Sequence, residues 1–272
     1  MKYKILALDI DGTLTNSKKE VTDEVKEKIN GLYQKNIPVL LVSGRPTEGI
    51  LPIADEIKLR ENNGYILAFN GGKIIKADTG EVIYSKSIPN ELIHDICQFA
   101  KDNNLAILTY KDGKIITNNP EDEYVRIEAR INKLEAVRVG DMEGEAPQSP
   151  DKFLIVGNPK ILENKVEEMA ELFKGKLNIF RSEPYFIEIV PMGIDKAESL
   201  EILLNKLSLK REELIACGDG RNDITMIDYA GMGVAMENAC DEAKSVANFI
   251  TKSNDENGVA AAIDKFFLIK TI

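Results

Sequence analysis

Two aspartates separated by one residue follow the first apolar run of the chain. Asp9 and Asp11 lie in the segment DIDGT, directly after the run from Ile5 to Leu8. Residues two apart on a strand point to the same face, so both carboxylates would converge just beyond the strand, where Gly12 permits a turn. Because neighbouring carboxylates repel each other, such a pair usually binds a cation or holds a proton. The pattern indicates a catalytic or metal-binding pair; the alternative is a pair of loop aspartates, one of which caps the next segment.

A second acidic cluster follows a later apolar run in the same way. The segment GDGRND, residues 218–223, comes after LIAC and contains Asp219 and Asp223. Carboxylates and substrate phosphate oxygens are the ligands that Mg²⁺ prefers, so two such strand ends predict a magnesium site. The alternative is a glycine-rich turn in which Asp223 is the N-cap of a helix. The segment is a poor dinucleotide loop because its third glycine is missing.

Two further positions suit an anionic ligand. Ser43 and Gly44 follow the run from Val39 to Val42, and they offer a hydroxyl and an unobstructed backbone N–H, which are phosphate-binding groups. Ser43 could equally cap the helix that starts near Pro46. Lys196 lies in the first turn of a predicted helix, where the helix dipole disfavours a cation, so an anionic neighbour is expected. Its alternative is a solvated surface lysine.

The histidine and cysteine content restricts the type of metal site. The chain has one histidine, His94, and three widely spaced cysteines, Cys97, Cys217 and Cys240. A two-histidine site, a CxxC zinc ribbon and a disulfide framework are therefore excluded or nearly so, and any metal must bind oxygen ligands. We expect His94 to be structural, with no acid nearby.

Composition and charge exclude several classes of function. The 272 residues include 35 Lys and Arg against 45 Asp and Glu, for a net charge of −10. This acidic balance argues against nucleic acid and anionic lipid as partners, since both attract clustered cations. No apolar run approaches the roughly 20 residues of a membrane span, and the N-terminus lacks a signal-peptide pattern. We therefore expect a cytoplasmic protein whose partner is a small molecule.

The order of the apolar runs predicts an α/β fold with an insertion. Short buried runs alternate with helical periodicity at the start and again after Pro191, which is typical of a doubly wound, Rossmann-like parallel sheet covered by helices. Between them the pattern becomes α+β, with a hairpin expected at Asp112-Gly113 and a loop at 143–150. We predict a core domain of residues 1–82 and 191–272 and an inserted α+β domain of residues 83–190.

Taken in order, these motifs carry a family resemblance. DIDGT, SGR, a lysine ahead of an amphipathic helix, GDGRND, GVAMENA and TKSNDENGV occur along the chain. The ordered set resembles the haloacid dehalogenase superfamily, in its Cof-type sugar-phosphatase branch with a large α/β (type IIB) cap. The resemblance spans essentially the whole chain. It implies that the insert is a mobile cap that selects the substrate.

The resemblance also implies a role for each motif. Asp9 would be the nucleophile that forms an aspartyl phosphate, and Asp11 the general acid and base. Mg²⁺ would be held by Asp9, the backbone carbonyl of Asp11, and Asp219, with support from Asp223. The residues expected to hold the phosphoryl oxygens are Ser43, Gly44, Lys196 and Asn222. Arg45 is expected to face away in a structural ion pair.

The sequence therefore predicts a Mg²⁺-dependent phosphatase that acts on a small phosphorylated metabolite, such as a sugar phosphate. One alternative is a phosphomutase of the phosphomannomutase type, which shares DxDGT and a similar cap. A non-enzymatic alternative is a phospho-aspartate regulatory module. The sequence leaves the physiological substrate and the oligomeric state open.

Overall fold

The computed structural model describes residues 2–267 and divides the chain into two compact units. The first unit extends to Tyr84 and resumes at Asp195, and the second unit is Ser85–Ile194. The boundaries predicted from the sequence lie within a few residues of these. In the described part of the chain, no helix is long and apolar enough to cross a membrane.

The secondary structure alternates strands and helices at both ends of the chain. The strands are β1 Ile5–Asp9, β2 Val39–Val42, β3 Tyr65–Ala68, β4 Lys73–Lys76, β5 Val82–Ser85, β6 Ala106–Lys111, β7 Lys114–Thr117, β8 Ala136–Arg138, β9 Phe153–Val156, β10 Leu177–Glu183, β11 Phe186–Pro191, β12 Leu214–Gly218, β13 Met232–Ala235 and β14 Phe249–Ile250. The helices are α1 Asp23–Tyr33, α2 Thr47–Glu56, α3 Ile93–Asp102, α4 Glu123–Asn132, α5 Met142–Glu145, α6 Pro159–Leu172, α7 Lys196–Lys206, α8 Ile224–Tyr229, α9 Asp241–Val246 and α10 Gly258–Phe267.

The first unit contains an eight-stranded sheet in the order β14-β13-β12-β1-β2-β3-β4-β5. From β14 to β3 every neighbouring pair is parallel, and β4 is antiparallel to β3. Because the strand order runs outward from β1 in both directions, the sheet is doubly wound, as predicted. All residues of β1 are buried, which explains why this strand is a continuous apolar run that ends in an aspartate.

Local signals in the sequence place the helices of this unit. Thr22 caps α1 by accepting a hydrogen bond from the backbone N–H of Val25, as expected for a threonine before an apolar-periodic stretch. Pro46 is the N-cap of α2, so Ser43 is not. Lys196 is the first residue of α7, and the Asp195 carboxylate caps that helix.

The second unit is built around a six-stranded sheet in the order β10-β11-β9-β6-β7-β8. Its pairs are antiparallel except β7 with β8, and the predicted hairpin joins β6 to β7. One face packs against α3 and α6 through side chains such as Ile96, Phe153 and Met169. The opposite face packs against α4 through Val125, Leu108 and Leu154. The unit therefore has its own hydrophobic core on both sides of its sheet.

Two predictions for the second unit are wrong. The stretch 143–150 is not entirely a loop, because it includes most of α5, whose N-cap Asp141 accepts a hydrogen bond from Gly144 N–H. His94 is not remote from acids, because its Nδ1 lies 2.8 Å from Glu143 Oε2. The short helix α5 brings Glu143 to α3, a contact that sequence spacing does not encode.

Candidate active site

Three neighbouring parallel strands of the first unit, β12, β1 and β2, end at the same edge of the sheet, and a polar residue lies at or directly after each end. Asp9 is the last residue of β1 and pairs in register with Val42, the last residue of β2. Ser43 follows β2, and Asp219 follows β12. Since the carboxyl ends of neighbouring parallel strands meet at one edge, residues far apart in sequence converge there.

A buried lysine lies between two carboxylates at the centre of this edge. Lys196 Nζ is 2.9 Å from Asp9 Oδ1 and 2.5 Å from Asp223 Oδ1, and its side chain is 1% exposed. Burial alone would lower the pKa of Lys196, but the carboxylates of Asp223 and Asp9 raise it above its usual range. The lysine is therefore a permanent cation beside the predicted nucleophile, and not a surface lysine.

Asp9 is buried in an acidic environment. Burial raises the pKa of Asp9 well above its usual range, the Asp223 carboxylate raises it further, and Lys196 opposes them. The other oxygen of Asp223 accepts hydrogen bonds from the backbone N–H groups of Asp219 and Gly220, at 2.9 and 2.8 Å. Asp223 therefore anchors the turn that precedes it, and its side chain makes no capping bond to α8.

Asp219 is held against the loop that follows β1. Its Oδ1 accepts a 2.6 Å hydrogen bond from the Thr13 hydroxyl. Burial raises the pKa of Asp219 to about 6, and the bond from Thr13 opposes this. Gly12 has a φ of +87°, and a Cβ at that position would lie 2.4 Å from Asp219 Oδ2. Only glycine fits there, because the turn is left-handed and the carboxylate fills the space.

Asp11 is held by two cations. Arg45 donates to both of its oxygens, with Nε 2.7 Å from Oδ2 and the terminal nitrogen 2.6 Å from Oδ1. Lys19 Nζ lies 2.9 Å from Oδ1. Burial raises the pKa of Asp11, but the bonds from Arg45 and Lys19 outweigh it and leave the pKa below its usual value. The prediction that Arg45 faces away from the site is wrong, because its ion-pair partner is Asp11 itself.

Ser43, Gly44 and Asn222 converge with a residue that the sequence analysis did not assign, Asn70. A Cβ on Gly44 would lie 3.0 Å from the Asn70 amide nitrogen. Asn222 donates a 3.0 Å hydrogen bond to Asn70 Oδ1. Asn70 itself has a left-handed backbone, with φ of 56°, and its N–H donates to the Ser43 carbonyl. Asn70 is the first polar residue after the apolar run of β3, and this is the sequence feature that could have identified it.

The described residues include one group with the composition of a metal site. Carboxylate oxygens of Asp9, Asp219 and Asp223 all lie within 4.8 Å of one another. Oxygen donors in this number suit a hard divalent cation such as Mg²⁺. Burial raises the pKa values of Asp9 and Asp219, and the neighbouring Asp223 carboxylate raises both further, whereas Lys196 lowers them. A bound cation would offset this concentration of negative charge. The donor set therefore fits Mg²⁺, and the Asp11 side chain lies outside this group.

Comparison with known proteins identifies the family. The model of the haloacid dehalogenase-like hydrolases matches residues 6–263. A haloacid dehalogenase-like hydrolase from Bacteroides thetaiotaomicron has a similar solved structure, with 46% identity and a TM-score of 0.96 over 98% of this chain and 100% of that one. BT1666, analysed among the phosphatases of the superfamily and from the same organism, is 27% identical, with a TM-score of 0.81 over 98% of this chain and 96% of that one.

A similar relative carries a substrate in its name. The 5-amino-6-(5-phospho-D-ribitylamino)uracil phosphatase YcsE of Bacillus subtilis is 31% identical over 268 residues, which cover 97% of this chain and 96% of the relative. These matches confirm the α/β fold and the resemblance seen in the motifs. The chain therefore belongs to the haloacid dehalogenase-like hydrolases, in their Cof-type branch, and is a phosphoric monoester hydrolase.

Proposed function

We propose that the chain is a Mg²⁺-dependent phosphatase that hydrolyses phosphomonoesters of small metabolites, such as sugar phosphates, through an aspartyl phosphate on Asp9. The observation that carries this proposal is the environment of Asp9. Its carboxylate lies at a strand end, 2.9 Å from the Lys196 ammonium and within reach of two more carboxylates. A carboxylate attacks phosphorus effectively only where cations offset the combined negative charge.

The reaction proceeds by two in-line transfers. In the first, an oxygen of Asp9 attacks phosphorus, the bond from phosphorus to the leaving alcohol breaks, and Asp11 gives its proton to the alcohol oxygen. In the second, Asp11 takes a proton from water, the water oxygen attacks phosphorus, and inorganic phosphate leaves as Asp9 is restored. Asp11 is two residues after Asp9 but outside the acidic cluster, which supports separate roles for the two carboxylates.

The phosphoryl oxygens need donors other than the nucleophile. We assign this role to the Ser43 hydroxyl, the backbone N–H of Gly44, the Lys196 ammonium and the Asn222 amide. Their placement beside the Asp9 strand end supports the assignment, since Ser43 directly follows the strand paired with β1. Preorganised donors of this kind stabilise the charge that spreads over the transferred phosphoryl group.

The side chains of Asp9 and Asp219 and the backbone carbonyl of Asp11 would hold Mg²⁺, which when bound offsets negative charge on the phosphoryl oxygens. Asp223 supports the metal site indirectly, because its carboxylate accepts hydrogen bonds from the backbone N–H groups of Asp219 and Gly220. This arrangement keeps Asp219 directed toward the strand ends.

We assign substrate selection to the second unit, Ser85–Ile194, as a cap. The second unit has its own hydrophobic core, so its sequence could change between substrates without disturbing the proposed catalytic residues. All of these residues belong to the first unit. The phosphorylated ribityl compound in the name of YcsE supports a small phosphorylated metabolite as substrate class. Relatives named as phosphatases favour hydrolysis over the phosphomutase alternative.

The test is turnover of p-nitrophenyl phosphate with Mg²⁺. We expect many turnovers by the wild type, loss of activity with EDTA, and no activity in Asp9→Asn despite an unchanged circular dichroism spectrum. Asp228→Asn, an exposed aspartate of α8, serves as the control and should match the wild type. A single equivalent of phosphate released per protein would instead support a regulatory module, and full activity of Asp9→Asn would refute the nucleophile.

A further inference from the structure

We propose that Asn238 and Asn254 are positioning residues for the loop that carries Asp11, an inference that rests on the function proposed above. We call these two asparagines the asparagine clamp. We call residues 10–19, which directly follow the proposed nucleophile Asp9 and lie between β1 and α1, the nucleophile loop. The clamp residues lie in GVAMENA and TKSNDENGV, two motifs to which the proposed chemistry gives no role.

The nucleophile loop places several parts of the site at once. Besides Asp11, it carries Thr13, whose hydroxyl binds Asp219, and Lys19, whose ammonium binds Asp11. A shift of this loop would therefore move the general acid and a metal-binding carboxylate together. Accurate placement of the loop is needed for both proposed steps.

The backbone of the loop satisfies only part of its own hydrogen bonding. Leu14 N–H donates to the Asp9 carbonyl, and Thr15 donates to the Ile10 carbonyl through both its N–H and its hydroxyl. The carbonyls of Gly12 and Thr15 are bound from outside the loop. They accept from the clamp, whose side-chain amides supply these bonds.

The two asparagines are joined to each other as well as to the loop. Asn238 Nδ2 donates to the Gly12 carbonyl at 2.8 Å, and Asn254 Nδ2 donates to the Thr15 carbonyl at 2.9 Å. Asn238 Oδ1 accepts a 2.9 Å bond from the Asn254 backbone N–H. The clamp thus bridges the loop at two points three residues apart, and each asparagine fixes the other.

The contact at Gly12 links the clamp to the metal-binding carboxylate. The Gly12 carbonyl belongs to the peptide group that leads into Thr13, so its orientation determines where the Thr13 hydroxyl meets Asp219. The Gly12 backbone and the Asp219 carboxylate are closely packed, because a Cβ at Gly12 would lie 2.4 Å from Asp219 Oδ2. A small rotation of this peptide would therefore displace the carboxylate. Asn238 therefore acts on Asp219 through the Gly12–Thr13 peptide.

The exposure of Asn238 separates positioning from general stability. Asn238 is exposed, and water replaces an exposed hydrogen bond at small net cost. Loss of the amide should therefore have little effect on unfolding. Its effect on catalysis should be larger, because a misplacement of about 1 Å costs on the order of 10²-fold in rate.

The test compares Asn238→Ala and Asn254→Ala with the wild type. We expect kcat for p-nitrophenyl phosphate to fall by roughly 10- to 100-fold with KM within about twofold. The Mg²⁺ concentration that gives half of the maximal rise in Tm should increase in both variants, which does not require turnover. The Tm of Asn238→Ala without Mg²⁺ should remain close to that of the wild type, because Asn238 is exposed.

Thr22→Val is the matched control. It removes a hydroxyl that donates to Asn257 Oδ1 at 2.7 Å and caps α1. It therefore breaks a bond to the same TKSNDENGV segment, but from a residue that follows the nucleophile loop and lies away from the site. This variant should have a lower Tm, with kcat and the Mg²⁺ dependence unchanged.

Two outcomes would overturn the inference: alanine variants with wild-type kcat and Mg²⁺ dependence, or a Thr22→Val variant that loses as much kcat as they do. If Asn238→Ala does not fold, Asn254→Ala carries the test, because it keeps the backbone N–H that binds Asn238. An inactive wild type would instead contradict the proposed function, and the Mg²⁺-dependent rise in Tm would still test the clamp.

Discussion

Replacing Gly12 with alanine should remove most of the phosphatase activity and leave the protein folded. The residue has a φ of +87°, and the new Cβ would lie 2.4 Å from Asp219 Oδ2. A left-handed backbone costs a residue other than glycine roughly 1–2 kcal/mol, which a folded domain tolerates. The steric conflict is more serious for function, because nonbonded heavy atoms approach to only about 3.5 Å.

The displacement sets the size of the effect. To reach an ordinary contact, the Asp219 carboxylate or the loop must move by roughly 1 Å, a misplacement that costs on the order of 10²-fold in rate. The control is Gly80→Ala, since Gly80 has a φ of +71° and nothing within 4 Å of its Cβ position. Both variants should remain folded but lose stability in urea titrations, because both place alanine in a left-handed conformation, and Gly12→Ala should lose at least as much because its Cβ also meets Asp219. Only Gly12→Ala should lose kcat on p-nitrophenyl phosphate, and equal activity of the two variants would refute this reasoning.

Two further substitutions test the charges of the site. Lys196→Met leaves Asp9 and Asp223 buried without their cation, so the free energy of unfolding in urea should fall by about 3–5 kcal/mol without Mg²⁺ and partly recover with it; a loss below about 1 kcal/mol would contradict the pairing. Arg45→Gln removes a group that lowers the pKa of Asp11, so Asp11 should keep its proton to higher pH. The alkaline limb of the kcat/KM profile should then move to higher pH, and a shift to lower pH would show that Asp11 is not the acid.

The sequence was sufficient to locate the candidate site because strand ends are a local property. A buried parallel strand is a continuous apolar run, and the first polar residues after it mark its carboxyl end. Asp9, Ser43 and Asp219 lie at or directly after such ends, and the strands they belong to or follow are neighbours in the sheet. The position of Lys196 in the first helical turn likewise followed from local periodicity.

Only the tertiary structure decided which of these side chains contact each other. Arg45 binds Asp11 across 34 positions, and Thr13 binds Asp219 across 206. Such contacts depend on the backbone path of loops, including the left-handed turn at Gly12. Apolar periodicity encodes which face of a strand or helix is buried, but it contains no information on the path of a polar loop. The residue types and their strand-end positions were therefore determined by the sequence, whereas the pairing of charges around Asp9 and Asp11 was determined by the fold.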